Sequence, residues 1–231
     1  MNDLQTSITK AFDYLSTNSI EIPADLLIQT RGKGVLATKA VGDLAGTKAG
    51  YHDAITGTLV AYFEGGNTSA SKNNFKQATT SAFGDAFELG YSDGGGELPF
   101  TGKALEWFNS RLTEEFAHID SLYIQAKELK KEAGFDFFTW ATERADSYTG
   151  ALDGVYNAGI MFAKKNQMLT WHLGNTEKHC KSCLKLDGGR HRASWYVDRD
   201  YIPRKPGAAM DCGGYHCDCR LTDDNGNEVT I

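Results

Sequence analysis

The stretch TGKALEWFNSRLTEEFAHIDSLYIQAKELKKEA, residues 101–133, decides the fold class. Leu105, Phe108, Leu112, Phe116, Ile119, Tyr123 and Ala126 step along it by three or four residues without a miss. That is the period of an α-helix with one buried face. Its polar end, KELKKE, complements the negative end of a helix dipole, and Gly134 suits the position after a helix end.

The same period extends outward in both directions. Residues 47–64 read as a helix with Tyr51, Ile55, Leu59 and Tyr62 on one face. EGGNTSAS breaks it, and a helix over about 70–90 follows with Phe75, Ala78, Ala82, Phe83 and Ala86 inward. GYSDGGGELPFTG reads as a loop, because its glycine run and Pro99 oppose a continuous helix. Beyond residue 135 a helical stretch over 136–168 carries Phe137, Trp140, Ala141, Arg144, Tyr148, Leu152, Tyr156 and Phe162. Gly150, Gly154 and Gly159 interrupt it, which permits close helix packing or a kink. At the N-terminus, 2–16 fits a short amphipathic helix. The segment from 17 to 45 reads as an extended arm or a loosely packed linker, so 1–45 is set apart as an arm.

After residue 168 the helical period stops. MLTWHL is short and apolar, and ASWYVD, DCRLTD and NEVTI have strand character, with DDNG at 223–226 as a hairpin turn. The expectation is therefore an α+β chain. A mostly helical body, 46–168, precedes a small β-rich module, 169–231, with too little apolar mass for a core of its own.

All five cysteines fall in that module, as Cys180-x2-Cys183 and Cys212-x4-Cys217-x-Cys219. The sulfurs of a Cys-x-x-Cys turn converge to within about 4 Å, as bonds of about 2.3 Å to one tetrahedral zinc require. The expected ligands are four of the five thiolates around one structural Zn2+. Cys180 and Cys183 form the safest pair, Cys212 and Cys217 are preferred as the second, and Cys219 is the substitute. His179, His191 and His216 read as bystanders or outer donors, since thiolates dominate structural zinc sites.

Charge narrows the function classes. The chain carries 24 Lys+Arg against 30 Asp+Glu, a net charge of −6, with a pI near 5.5. Residues 171–231 hold nine of each sign, so the acidic excess lies in 1–170. This argues against a protein whose main task is coating nucleic acid. No basic-then-apolar leader and no run approaching about 20 apolar residues is visible, so a reducing cytosol is the expected setting. No HExxH, nucleophile elbow or P-loop occurs, so no enzyme is expected. Two alternatives rest on residues of the module. Arg190, Arg192, Arg199, Arg204 and Lys205 with Trp195, Tyr196 and Tyr201 suit a zinc module that contacts DNA. His191 or His216 with Asp187 or Asp211 would suit a zinc-stabilised nuclease.

Residues 140–222 also resemble the C-terminal part of the Mu F-like family of phage minor head proteins. The resemblance lies in Trp171, Thr176, Glu177, Cys180, Cys183, Leu184, Leu186, Asp187, Gly188, Pro203, Pro206, Cys217 and Cys219. The upstream ERADSYTGALDGVYNAG is similar to the helix that precedes the family's cysteine module. Many members carry His-Pro-x-Cys-x-Cys at the second cluster. Here it reads CGGYHCDC, with Cys212 where that histidine stands, which leaves the ligand set open. The resemblance implies a virion protein near the portal vertex, acting in head assembly or genome packaging and delivery. It also implies portal or capsid partners, several copies in a symmetric assembly, and host cytoplasm as the place of assembly.

Overall fold

A computed structural model describes residues 43–176, 178–214 and 217–231. The helix expected at 2–16 and the arm as far as residue 42 lie outside the described residues. Four long helices form the body: α1 (Leu44–Phe63), α2 (Thr68–Asp93), α3 (Lys103–Leu129) and α4 (Phe137–Ala163). Then follow β1 (Met168–His172), α5 (Lys181–Leu186), β2 (Arg190–Arg192), α6 (Ala193–Val197) and β3 (Arg220–Thr222). The strands make one antiparallel sheet in the order β2-β1-β3.

Side-chain caps start three of the four long helices. The Asp43 carboxylate accepts from Gly46 N at 2.6 Å, Asn67 from Ser69 N at 2.9 Å, and Asp136 from Thr139 N at 3.0 Å. Each satisfies a backbone donor that the first turn leaves free. The expected face of α1 is the buried one: Tyr51, Ile55, Leu59 and Tyr62. On α3 the apolar stripe is displaced. Leu105, Leu112 and Phe116 are half-buried, while Arg111 and Glu115 go inside. Lys130 donates to Tyr62 O at 2.6 Å and lies over the Tyr62 ring, so this basic residue serves the C-terminal end of α1 as well.

Helix α4 packs against both α1 and α2, and α3 lies on α2. Buried residues surround α4: Trp140, Ala145, Leu152, Val155, Asn157 and Met161 lie on different faces. It is one continuous helix through its three glycines, and two of them, Gly154 and Gly159, serve close contact. A Cβ at Gly159 would sit 2.4 Å from Phe87 O of α2, and one at Gly154 would sit 2.3 Å from Lys205 Cα. The α2 backbone and the loop around Lys205 therefore rest directly on α4. Asn157, fully buried, donates to Pro203 O (3.0 Å) and Ile231 O (3.1 Å) and accepts from Ile231 N (3.0 Å). Three hydrogen bonds from one amide tie the module to the body, and one hydrophobic core runs through both.

Several boundaries differ from the sequence expectation. Helix α2 continues through Gly90–Asp93, so the loop begins at Gly94. Helix α3 stops at Leu129, and Gly134 follows its last turn at φ 77°. Helix α4 ends at Ala163, because Met168–His172 is recruited as the central strand with Leu169 and Trp171 fully buried. ASWYV is helix rather than strand: Ser194 N donates to Lys165 O, and the turn sinks Tyr196 so that its hydroxyl donates to Gly189 O at 2.7 Å. Tertiary packing thus overrides the aromatic strand preference. NEVTI contributes a single bridge, Thr222 to Glu228, beyond a real turn at Asp223–Gly226. The module is a three-stranded sheet with two short helices, so "β-rich" overstates its strand content.

Two tests follow from the packing. Gly159→Ala should lower stability by about 2–4 kcal/mol, since the added methyl meets backbone that cannot yield. Gly150→Ala, with nothing within 4 Å of the added Cβ, should raise it by roughly 0.5–1 kcal/mol. Urea midpoints measure both. Glu88 on α2 is pushed up to about 7 by burial and then by Asp85. An acid raised in the folded state makes stability fall as pH climbs from its unfolded value, about 4.3, through the folded one. Glu88→Gln should flatten that part of the pH–stability profile.

Candidate metal centre

The five thiols meet where three segments converge: the turn leading into α5, the loop at Asp211–Cys212, and the Cys217–Cys219 segment entering β3. Cys180 is the N-cap of α5, and its sulfur accepts from Cys183 N at 3.3 Å. This turn places the Cys180 and Cys183 sulfurs 3.2 Å apart. The five sulfurs form two triads, Cys180–Cys183–Cys212 and Cys183–Cys217–Cys219, each with its atoms within 4.8 Å of one another. Cys183 belongs to both. Cys183, Cys217 and Cys219 are buried, and Cys180 and Cys212 are half-buried. The cluster could hold a metal ion.

Supporting contacts fix the segments that carry these thiols. Ser182 N donates to the Asp211 carboxylate at 2.9 Å, and Ser182 Oγ accepts from Asp211 N at 3.1 Å. This reciprocal pair joins the first cysteine turn to the loop of Cys212. Asp218, between Cys217 and Cys219, accepts from Asn175 N (3.1 Å) and from Arg204 (2.7 Å). Arg204 also faces Asp153 of α4 at 3.6 Å, and Lys48 of α1 meets the same carboxylate at 2.8 Å. A chain of charges thus runs from the body to the cysteine segment. Arg204 takes a left-handed φ of 59° there, a strained conformation for a non-glycine residue. A Cβ at Gly174 would lie 1.9 Å from Asp218 O, so the turn after β1 presses against the Cys217–Cys219 backbone.

Electrostatics divides the thiols. The neighbouring Cys183 and Cys217 thiols, followed by the Gly174 backbone, outweigh burial and lower Cys219 to about 3. Burial opposes ionisation of Cys180, but the backbone and thiol groups of Cys183 and Cys212 outweigh it and pull it down. Cys183 is pushed far up, first by Cys217 and then by Cys219 and burial. Cys212 rises through burial. Cys217, favoured by Cys183 but opposed by Cys219 and burial, also ends above the ordinary thiol range. Five sulfurs this close cannot all be anionic without a cation, so protons are shared among them. A metal cation would relieve the same repulsion by coordination.

The histidines and acids singled out in the sequence are engaged in other ways. His179 pairs with Thr176 Oγ1 at 3.1 Å, and His191 stacks on Trp195 with centroids 3.7 Å apart. His216 lies outside the described residues. Asp187 accepts from Leu173 N, and Asp211 is the bracket on Ser182. In the basic-aromatic segment, Arg199 lies over the Trp195 ring and Arg190 makes a forked pair with Asp224. Sequence reasoning missed Ser182, Gly174 and Asp153, and read Arg204 as a DNA-contact candidate rather than as the link between Asp153 and Asp218. Nothing in their spacing marks them, because each acts through a contact made only in the folded chain.

Asp211→Ala should remove the carboxylate side of the bracket and leave only the Asp211 N–Ser182 Oγ bond. Its expected effect is reaction of Cys180 and Cys212 with an aromatic disulfide about fivefold faster, the loss of about 1 kcal/mol of local protection. Unchanged thiol kinetics would show that the bracket does not hold the cluster.

Described residues contain no helix long and apolar enough to cross a membrane. No protein-family model, no curated protein and no solved structure matches this chain.

Proposed function

We propose that this chain is a structural minor head protein of a tailed phage, acting at or near the portal vertex in head assembly or genome packaging and delivery. Its module is stapled by one zinc ion. The observation that carries the metal assignment is the gathering of five thiols from three segments into two triads that share Cys183. The donor set fits zinc: soft, anionic sulfur ligands, four of which fill a tetrahedral shell and leave no position for substrate.

The buried triad of Cys183, Cys217 and Cys219, with Cys180 only 3.2 Å from Cys183, favours those four as ligands. Cys219 therefore ranks ahead of Cys212, the reverse of the order suggested by spacing. Zinc would supply folding free energy here, commonly about 10 kcal/mol or more in small zinc peptides, to a module that buries little on its own. The virion assignment rests on the ordered motifs from Trp171 to Cys219 and the helix before them. Its partners would be portal or capsid subunits, in several symmetric copies, with assembly in the host cytoplasm.

Metal analysis of the purified chain should give one equivalent of zinc. Chelation should lose the near-ultraviolet signal of Trp171 and Trp195 while α1–α4 keep their far-ultraviolet signal. A normally folded protein with less than half an equivalent would overturn the zinc staple. Mass spectrometry of purified particles tests the other half, and absence of the chain from them would overturn the head-protein assignment.

A further inference from the structure

Away from the thiols, a cleft of about 310 Å³ opens between α3 and α4 and is edged by Pro206 of the module. Two guanidinium groups line it, although the chain as a whole is acidic. Arg111, Arg144 and His118 all face it, with Glu115 as the acidic member and Ser121, Ser147 and Gln125 as further polar groups.

Arg111 is 4% exposed, and its Nη2 lies 2.7 Å from Glu115, itself 4% exposed. A second nitrogen, Nη1, reaches Glu114 at 3.3 Å. Its Nε is buried without a hydrogen-bond partner among the described residues. The Nε of Arg144 is in the same state. Arg144 lies over the Trp140 ring at 5.6 Å and forms no ion pair among the described residues. Glu114 and Glu115 both pair with Arg111, and Arg144 is left without a carboxylate within ion-pair distance among the described residues.

As a source of stability this arrangement is poor. An apolar pair of equal volume would serve a helix interface as well as a buried Arg–Glu pair does. Two buried guanidinium N–H groups without acceptors are an added cost. An oxyanion in the cleft would remove that cost, because a planar guanidinium offers paired donors to a carboxylate or phosphate. We propose that the α3–α4 cleft is an oxyanion-binding site in which Arg144 and the free Nε of Arg111 hold the carboxylate or phosphate group of a ligand. The anion would come from a free small molecule or from an acidic side chain of a partner protein.

The test uses the full chain and follows the arginine Nε–H resonances of Arg111 and Arg144 during titration. The probes are inorganic phosphate, glutarate and a glutamate-rich hexapeptide, with sodium chloride at matched ionic strength as control. Saturable shifts of both resonances are expected with at least one oxyanion and not with chloride. Arg144→Gln should weaken binding by about tenfold or more, and Arg144→Lys, which keeps charge but not the fork, by less. Far-ultraviolet dichroism checks that both variants fold. Tighter binding of the peptide than of glutarate points to a partner's side chain, and the reverse or a preference for phosphate points to a free anion. Absence of saturable shifts with all three probes, or equal affinity in Arg144→Gln, overturns the site. Neither result bears on the zinc staple, which lies on other segments.

Discussion

The backbone of α4 sets the positions of everything around it. From Ala151 onward α4 has no exposed residue, so its neighbours there must fit what its side chains leave open. At Gly159 it leaves room for the main chain of α2, and at Gly154 for the main chain around Lys205. Asn157 lies between them and spends its whole amide on Pro203 and Ile231. Glycine in a helix interior costs up to about 1 kcal/mol relative to alanine. Backbone-to-backbone contact on two faces is what offsets that cost here.

The module inherits its position from those contacts, and its thiols inherit theirs from the module. Trp171 and Tyr196 anchor the sheet, and their rings pack 5.9 Å apart. The turn after β1 then reaches Asp218 through Gly174 and Asn175. Asp153, Arg204 and Asp218 carry the same linkage in charge. These pairs are partly exposed, so their value is mainly in register rather than in energy. The thiol cluster is thus held from outside by neutral and charged hydrogen bonds, and within it the Cys180 and Cys183 sulfurs lie 3.2 Å apart.

Long-period features were legible in the sequence and contact-dependent ones were not. Tyr51, Ile55, Leu59 and Tyr62 were readable because four residues on one face have no other use for that spacing. The cysteine gathering was readable because Cys-x-x-Cys constrains its own geometry. Arg111 and Glu115 were missed because charge normally marks an exposed face, and here an i,i+4 pair is carried inside. ASWYV was misread because aromatic and β-branched residues favour strands until a neighbouring backbone, that of Lys165, accepts the first turn of a helix. The glycines of α4 were ambiguous between kink and contact, since only the partner backbone decides between them.

The position of Asn157 also imposes an order in time. Helix α4 is complete at residue 163, but Pro203 and Lys205, which cover its Asn157 and Gly154 face, are some forty residues further on. At a synthesis rate of about 5–20 residues per second, that face stays bare for about 2–8 s in each newly made chain. During this interval an amide with no acceptor and a groove floored by glycine are open to other nascent backbones. Cys180 and Cys183 are made within this interval and Cys212, Cys217 and Cys219 only after it, so the emerging body passes its exposed stage before the thiol cluster is complete.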